Sequence, residues 1–344
     1  MLRDALRKAA AGEPLSAGEA ERSLEEIMEG TANPAVTAAL LTALRVKGES
    51  VGEIVGFART MRRFAEKVEA PEGVVDTCGT GGDAKGTINV STAAAFVACG
   101  AGVVIAKHGN RAATSQAGSA DVLEALGAEI GLGPKEVGRC IEEVGIGFMF
   151  ARTHHPAMRH VAPVRAELPF RTVFNLLGPL TNPAGARRQL VGVFHGGYVR
   201  PVAEALRELG AQKALVVHGT DGLDEITVTG PTVVAEVSGG DVKEYEVSPE
   251  RLGLTVHASD GLLGGDAYLN ARVLRDVLSG EEGGAARDVI LANAGAAVYV
   301  SGEAETLERG VRLAEESIAS GAAERALANF VRATRRLAGV GGAA

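Results

Sequence analysis

Tryptophan is absent from this 344-residue chain, which holds only 3 Cys, 4 Tyr and 9 Phe. Cys78, Cys99 and Cys140 are odd in number and form no C-x-x-C pair. Neither a disulfide framework nor a zinc knuckle is implied, and a reducing cytoplasm is the expected setting. Long apolar runs are also missing. The most membrane-like stretch, 91–106, is shorter than the roughly 20 residues a spanning helix needs and is split by Gly100 and Gly102. It reads as a buried helix followed by a buried strand. The opening Met1-Leu2-Arg3-Asp4 lacks the apolar core of a signal peptide. With 46% hydrophobic and 23% charged residues, disorder and collagen-like structure are excluded, and one large or two unequal globular domains are expected.

Lys and Arg number 35 against 43 Asp and Glu, a net charge of -8, which argues against a nucleic-acid backbone or an anionic membrane as main partner. The charge is unevenly spread. Between Ala84 and Ala203, twelve Lys/Arg stand against seven Asp/Glu, and residues 84–120 contain no carboxylate. Such a segment suits a small, highly anionic ligand, with the excess cation expected in its pocket.

Residues 1 to about 68 carry helical periodicity only. Leu2, Ala5, Leu6 and Ala9 share one face; Ser16 with Glu19 and Ser50 with Glu53 form capping boxes; Asn33-Pro34 caps and starts a helix that Gly48 ends. Ala70-Pro71-Glu72-Gly73 reads as a linker. Short β-branched runs then alternate with helical ones, predicting strands over 74–77, 103–106, 147–150, 190–194 and 214–217 and helices over 91–99, 119–126, 134–144 and 198–209. Alternation and Gly-Pro turns predict antiparallel strands within 226–247, and helix returns after Gly265. The fold class expected is α/β: a small all-helical N-terminal domain, 1–69, and a larger α/β domain, 70–344, with a mostly parallel central sheet. Residues 154–183 lack a strand-like run and are expected in part to rejoin the helical domain. The terminal Gly339-Val340-Gly341-Gly342 reads as a frayed end.

Three polar loops follow predicted strands, and ligand crevices of open parallel sheets lie at the carboxyl ends of their strands. The first is Asp76-Thr77-Cys78-Gly79-Thr80-Gly81-Gly82-Asp83, followed by Thr87, Asn89 and a helix opening at Ser91-Thr92. Its glycines let backbone amides approach phosphate oxygens, and the helix start adds partial positive charge. It is not a Walker A loop, and the acid a dinucleotide fingerprint needs about 20 residues on is missing. The second is Lys107-His108-Gly109-Asn110-Arg111, with Thr114, Ser115 and Ser119 beyond, whose two cations suit phosphate. The third, His218 to Glu225, ends in adjacent carboxylates Asp224 and Glu225, donors typical of Mg²⁺ shared with substrate phosphates. Cys78 has no evident base beside it, and His108, His154 and His155 lack a repeated metal-ligand spacing. His160, His195 and His257 read as structural.

With His154-His155-Pro156, Arg165-Ala166-Glu167 and the run Arg171 to Pro183, these loops closely resemble the anthranilate phosphoribosyltransferase family from the N-terminal helices to about residue 330. The run ending in Asn182-Pro183 is the most specific element. The resemblance implies the fold of the nucleoside phosphorylase/phosphoribosyltransferase class, a homodimer through the helical domain, and transfer of the 5-phosphoribosyl group of 5-phosphoribosyl 1-diphosphate (PRPP) to anthranilate. It implies that PRPP meets Gly79, Gly82, Asp83, Thr87, Asn89, Val90, Ser91, Thr92, Lys107, His108, Gly109, Asn110, Arg111, Ala112, Ala113, Thr114, Ser115 and Ser119. It places anthranilate at Gly79, Asn110 and Arg165, and Mg²⁺ at Ser91, Asp224 and Glu225, with Lys107 supporting an otherwise electrostatic and positional catalysis. Gln116-Ala117 and Pro169 depart from the family's usual Lys-Ser and Gly. A pyrimidine nucleoside phosphorylase would be expected to carry a Lys-rich loop and to lack the Asp224-Glu225 pair. A nucleic-acid-binding relative would need a broad basic face.

Overall fold

The computed structural model describes residues 1–112 and 116–339. Four helices come first: α1 (Leu2–Ala10), α2 (Ala17–Met28), α3 (Pro34–Lys47) and α4 (Val51–Arg63). Both expected capping boxes form, at Ser16/Glu19 and Ser50/Glu53, and Asn33 caps α3. Glu53 does more than cap. Fully buried, its carboxylate accepts from the Ser50 amide at 2.7 Å, the Leu15 amide at 2.8 Å and Lys47 Nζ at 2.8 Å. A buried charge is tolerated because each oxygen is paired.

Beyond the linker lie β1 (Val75–Asp76), α5 (Val90–Gly100), β2 (Ile105–Gly109), α6 (Ser119–Ala125), α7 (Pro134–Val144) and β3 (Ile146–Phe150). Short helices α8 (Ala151–His154), α9 (Ala162–Ala166) and α10 (Phe174–Leu177) follow, interspersed with 3₁₀ turns at Pro156–His160 and Gly178–Leu180. Next come β4 (Arg188–Gly192), α11 (Val199–Glu208), β5 (Lys213–Gly219), β6 (Thr232–Ser238) and β7 (Asp241–Val247). Helices α12 (Ala267–Ser279), α13 (Gly284–Ser301), α14 (Leu307–Ala319) and α15 (Ala322–Leu337) close the described chain.

The seven strands form one sheet in the order β3-β2-β1-β4-β5-β6-β7, parallel through β5 and antiparallel for β6 and β7. The winding direction reverses between β1 and β4, and such a reversal opens a crevice at the strands' carboxyl ends. Alternation along the strands feeds two cores. Leu190, Leu215 and Val217 pack on the side of α5 and α13, while Val191, Ala214 and Val216 face α11. The second core also takes in α1 to α4 and, from the later segment, Val161, Val173, Phe174, Leu176, Leu177 and Leu180. Most apolar side chains of residues 154–180 thus pack in one core with the N-terminal helices, Phe170 remaining exposed.

Strand ends differ from expectation for local reasons. Residue 103 belongs to the turn that ends α5, its amide bonding to the Ala98 carbonyl, so β2 starts later and runs on to Gly109. Strand β1, expected over four residues, pairs through two only.

Helices α13 and α14 touch at glycine. A Cβ on Gly310 would overlap the Gly295 carbonyl, so no side chain fits without separating the helices. Gly310→Ala is expected to destabilise the fold by about 1–3 kcal/mol through overpacking, read as a lower urea midpoint with an unchanged m-value.

Candidate active site

The loop leaving β1 crosses from its own strand toward β4. The Thr80 amide donates to the Gly192 carbonyl at 2.8 Å, and Thr80 Oγ1 accepts from the Phe194 amide at 3.0 Å. The Gly81 amide donates to Asp224 Oδ2 at 2.7 Å. Positive φ at Gly81 and Gly82 turns the loop, and Ala84, at φ 61°, is the one non-glycine with positive φ among the described residues. A Cβ on Gly192 would overlap the Asp224 carbonyl, so this glycine lets the third loop lie against β4.

Lys107 is buried at the end of β2. Its Nζ donates at 3.3 Å each to the Thr77 carbonyl, Thr77 Oγ1 and Ser91 Oγ, fastening the first loop, the start of α5 and the second loop to one cation. The Ser91 amide supports Glu225, whose carboxyl lies in the field of Lys107. Removal from water holds the Asp224 carboxyl up to about 7, with the neighbouring Asp83 charge adding to the shift. Burial, and then the Asp224 charge, also raises Glu225 well above the carboxylate range. Three carboxyl groups therefore crowd one place and favour a cation there. Among the described residues no set of three His, Cys, Asp or Glu closes a metal cage. The hard oxygens at hand are the adjacent carboxylates Asp224 and Glu225, while Ser91 meets Glu225 through its amide and turns its hydroxyl to Lys107 Nζ.

The remaining expected PRPP residues divide by what they can offer. Val90 and Thr92 are buried, their amides donating to the Ile88 carbonyl at 2.8 Å and the Asn89 carbonyl at 3.1 Å, and Thr92 Oγ1 has no partner among the described residues. Asn89 is oriented by its neighbours: Asn270 Nδ2 donates to Asn89 Oδ1 at 2.8 Å, and Asn89 Nδ2 donates to the Ala117 carbonyl at 3.1 Å. Thr87 bridges to Leu263, and Ser119 Oγ donates to the Asn110 carbonyl at 3.2 Å. The Ala112 amide is engaged by Asp121 Oδ2 at 3.0 Å. Ala113, Thr114 and Ser115 lie outside the described residues.

Arg111 is engaged by carboxylates of α6. Its guanidinium forks onto Glu124, with Nη2 to Oε1 at 2.8 Å, and reaches Asp121 at 2.7 Å, so its charge is neutralised on its own side of the loop. The wider cationic surplus is spread likewise. Arg139 pairs with Glu143, Arg200 with Glu204 and Glu244, and Arg187 caps the Gly210 carbonyl. The expectation that the excess cation gathers in the pocket is corrected: local sequence charge ignores ion pairing across the fold.

Arg165, on α9, stacks 5.2 Å from the Phe174 ring centre and pairs with no carboxylate among the described residues. Among the described residues it forms no hydrogen bond with Gly79 or Asn110. Arg171 stacks on Phe194 at 4.4 Å and donates to the Gly82 carbonyl, a tie to the first loop that sequence reasoning missed.

Burial holds His108, His154 and His155 toward the neutral form. His108 Nδ1 lies 3.1 Å from the Gly178 carbonyl, which can only accept, so the proton sits on Nδ1 and the buried Nε2 has no partner among the described residues. Burial lowers His108 to about 3 and His155, whose ring centre lies 5.0 Å away, to about 4. Burial pushes the Cys78 thiol up, and the Asp76 charge pushes it further, leaving an inert thiol.

Two family models match the chain: the helical bundle domain of a glycosyl transferase family over residues 3–65 and its a/b domain over 71–324. The anthranilate phosphoribosyltransferase of Rubrobacter xylanophilus is 81% identical over 341 residues, covering 99% of this chain and 100% of its own. That of a Bradyrhizobium species is 53% identical over 330 residues, covering 96% and 98%. Among solved structures, anthranilate phosphoribosyltransferase from Thermus thermophilus superposes with a TM-score of 0.92 at 49% identity, covering 96% of this chain and 99% of its own. The Saccharomyces cerevisiae enzyme in complex with PRPP and Mg gives 0.89 at 30%, covering 97% and 98%.

The lowered histidine fixes a pH dependence. Between about 4 and 6.5, unfolded His155 binds a proton that the native residue does not, so its contribution to stability is fully present above 6.5 and is lost as pH falls toward 4. His155→Asn is expected to flatten the slope of unfolding free energy against pH in that window by up to about one proton. Urea midpoints across the window check it, and an unchanged slope would mean that His155 titrates normally in the native state.

Proposed function

The chain belongs to the anthranilate phosphoribosyltransferase family, and from that premise we propose how its residues divide the work of the family's reaction. The enzyme transfers the 5-phosphoribosyl group of PRPP to the amino nitrogen of anthranilate, releasing diphosphate and giving N-(5-phosphoribosyl)anthranilate for tryptophan biosynthesis. The observation that carries the division of roles is the meeting of three loops at the β1/β4 reversal, around one buried lysine and a carboxylate pair.

In this reading the glycine loop, Asp83, Thr87 and Asn89 to Thr92 hold the ribose and phosphates of PRPP. The stretch Lys107 to Ser115, with Ser119, flanks them, and Arg111 contributes once its pairing with Glu124 is exchanged for phosphate. Val90 and Thr92 lie at the start of α5, where anion binding is favoured, with their own amides bonded to the Ile88 and Asn89 carbonyls. Lys107 lies close enough to the loop to stabilise negative charge as diphosphate departs. Anthranilate sits near Gly79 and Asn110, with its carboxylate on Arg165, a cation free of intramolecular pairing among the described residues.

The anthranilate amine is unprotonated at neutral pH, so the attack on the anomeric carbon needs no strong base. The demanding step is loss of diphosphate from an oxocarbenium-like centre, and the protein acts on it by position and electrostatics. Ser91, Asp224 and Glu225 fit Mg²⁺ by donor type and by their unbalanced negative charge. Bound there, Mg²⁺ supplies countercharge to the diphosphate.

The domain division at residue 69/70, with part of 154–183 joining the helical domain, belongs to the same reading. So does a homodimer through that domain, where Val46 on α3 is 82% exposed, in a cytoplasmic setting. No helix among the described residues is long and apolar enough to cross a membrane.

Loss of anthranilate fluorescence on mixing the protein with PRPP and Mg²⁺ tests the reaction, each component being omitted in turn. Loss that does not require all three would count against it. In that assay Arg165→Ala is expected to raise KM for anthranilate by about tenfold or more while leaving KM for PRPP within about twofold. Equal losses would remove Arg165 from the anthranilate site. Asp224→Asn is expected to raise the Mg²⁺ concentration needed for half-maximal turnover by about tenfold or more, and an unchanged Mg²⁺ titration would remove Asp224 from the metal.

A further inference from the structure

Strand β2 outruns its neighbour. It continues to Gly109 beside β3, whereas β1 ends at Asp76, with Val75↔Ile105 the one paired position between β1 and β2. The Ile105 amide bonds to the Gly145 carbonyl on the β3 side, so by strand alternation the backbone groups of Ala106 and His108 face the β1 side. Past Asp76 no strand is left there to pair with them, and buried backbone groups must find partners.

Two side chains supply those partners. Asp76 Oδ1 accepts from the His108 amide at 3.1 Å, and Asn182 Nδ2 donates to the Ala106 carbonyl at 2.8 Å. The two side chains are also joined to each other, Asn182 Nδ2 donating to Asp76 Oδ2 at 2.7 Å. Asn182 Oδ1 is occupied by the Ala184 amide at 2.9 Å, which fixes which end of the amide donates. Asp76 is fully buried and Asn182 is 5% exposed. Their bond closes a link of 106 residues between the start of the glycine loop and the end of the Arg171–Pro183 run. Between Ala106 and His108 sits Lys107, whose charge acts on Asp76.

We propose that Asp76 and Asn182 are positioning residues for the phosphoribosyl transfer: together they replace the missing length of β1 and so fix the segment of β2 from which Lys107 reaches the glycine loop. The inference rests on the role given to Lys107 above. It explains why the chain can leave the sheet after two residues of β1, freeing the loop to cross to β4, without loosening β2. Neither side chain touches the substrates in this account, and each acts through the backbone on either side of Lys107.

The test is a double-mutant cycle on the full chain, following kcat, both KM values and Tm. Asp76→Asn keeps the side-chain shape but cannot accept from both the His108 amide and Asn182. It is expected to lower kcat by about 10- to 100-fold, with KM for anthranilate within about threefold. Lys107→Met is expected to lower kcat at least as much, and adding Asp76→Asn to it is expected to change kcat by less than about twofold. A folded Asp76→Asn enzyme with lowered Tm and full kcat would overturn the proposal, leaving the pair a purely structural role. A full additional loss in the Lys107→Met background would also overturn it. Normal turnover of Lys107→Met alone would instead sink the Lys107 reading, and the proposal with it. Should Asp76→Asn fail to fold, Asn182→Ser cuts the same link from the other side and is read by the same criteria.

Discussion

Strand β1 forms a ladder for two residues and then leaves, and much of the site follows from that short strand. Had β1 run alongside β2 to Gly109, its backbone would fill the space in which Thr80 reaches the Gly192 carbonyl and Gly81 reaches Asp224. The reversal of winding between β1 and β4 puts the gap where an open sheet already parts. Glycine makes the crossing sterically possible at both ends, since Gly79 lies close to Asp224 and Gly192 leaves no room for a Cβ beside the Asp224 carbonyl. Of the backbone groups that a truncated strand exposes, the His108 amide is met by Asp76 and the Ala106 carbonyl by Asn182.

Charge in this opening is sparse and opposed. Lys107 is the buried cation here, with Asp76 and Glu225 in its field and Asp83 and Asp224 beside Glu225, while Arg171 reaches the Gly82 carbonyl from outside. Burial pushes Asp76 up to about 6, held back by the Lys107 charge and by bonds from Asn182 and the His108 amide. The two sides of Lys107 differ in purpose. Asp76 is satisfied by hydrogen bonds from within the fold, whereas Asp224 and Glu225 crowd against Asp83 with repulsion left unbalanced. A site in that state favours added cation over added anion, so a diphosphate carrying its own divalent ion enters on better terms than one without.

Much of this was legible in the sequence, and what was not has definite physical causes. Helix starts were readable because Ser16, Asn33 and Ser50 act on amides within the next turn, a purely local interaction. The parallel sheet was readable from β-branched runs alternating with amphipathic segments, and the three loops from their polar, glycine-containing composition at strand ends. Strand lengths were not. Val74 to Thr77 looks like one strand, but pairing ends where the partner's backbone diverges, and nothing within the run encodes that. The ion pairs of Arg111 were not legible because its partners Asp121 and Glu124 lie just beyond the acid-free segment and fold back through α6. Asn270 on α12, Arg171 and Gly192 carried no local signal, since their roles come from contacts with Asn89, Gly82 and Asp224 far along the chain.

The same burial that shapes the site also selects its chemistry. A thiol and imidazoles stand near the reacting region, and each is disabled as an acid-base group or nucleophile by the surroundings that place it there. Cys78 is held protonated, and His108 is kept neutral with its one proton committed to the Gly178 carbonyl. A reaction requiring a strong base would be poorly served. Transfer of a phosphoribosyl group to an already unprotonated aromatic amine requires none, and gains more from fixed donors and a single placed cation than from a titrating group. Under the proposed role of Lys107, rigidity of β2 around it is a chemical requirement and not only a feature of packing. In that proposal the cation contributes by where it is held, and in this fold that place is set by backbone geometry.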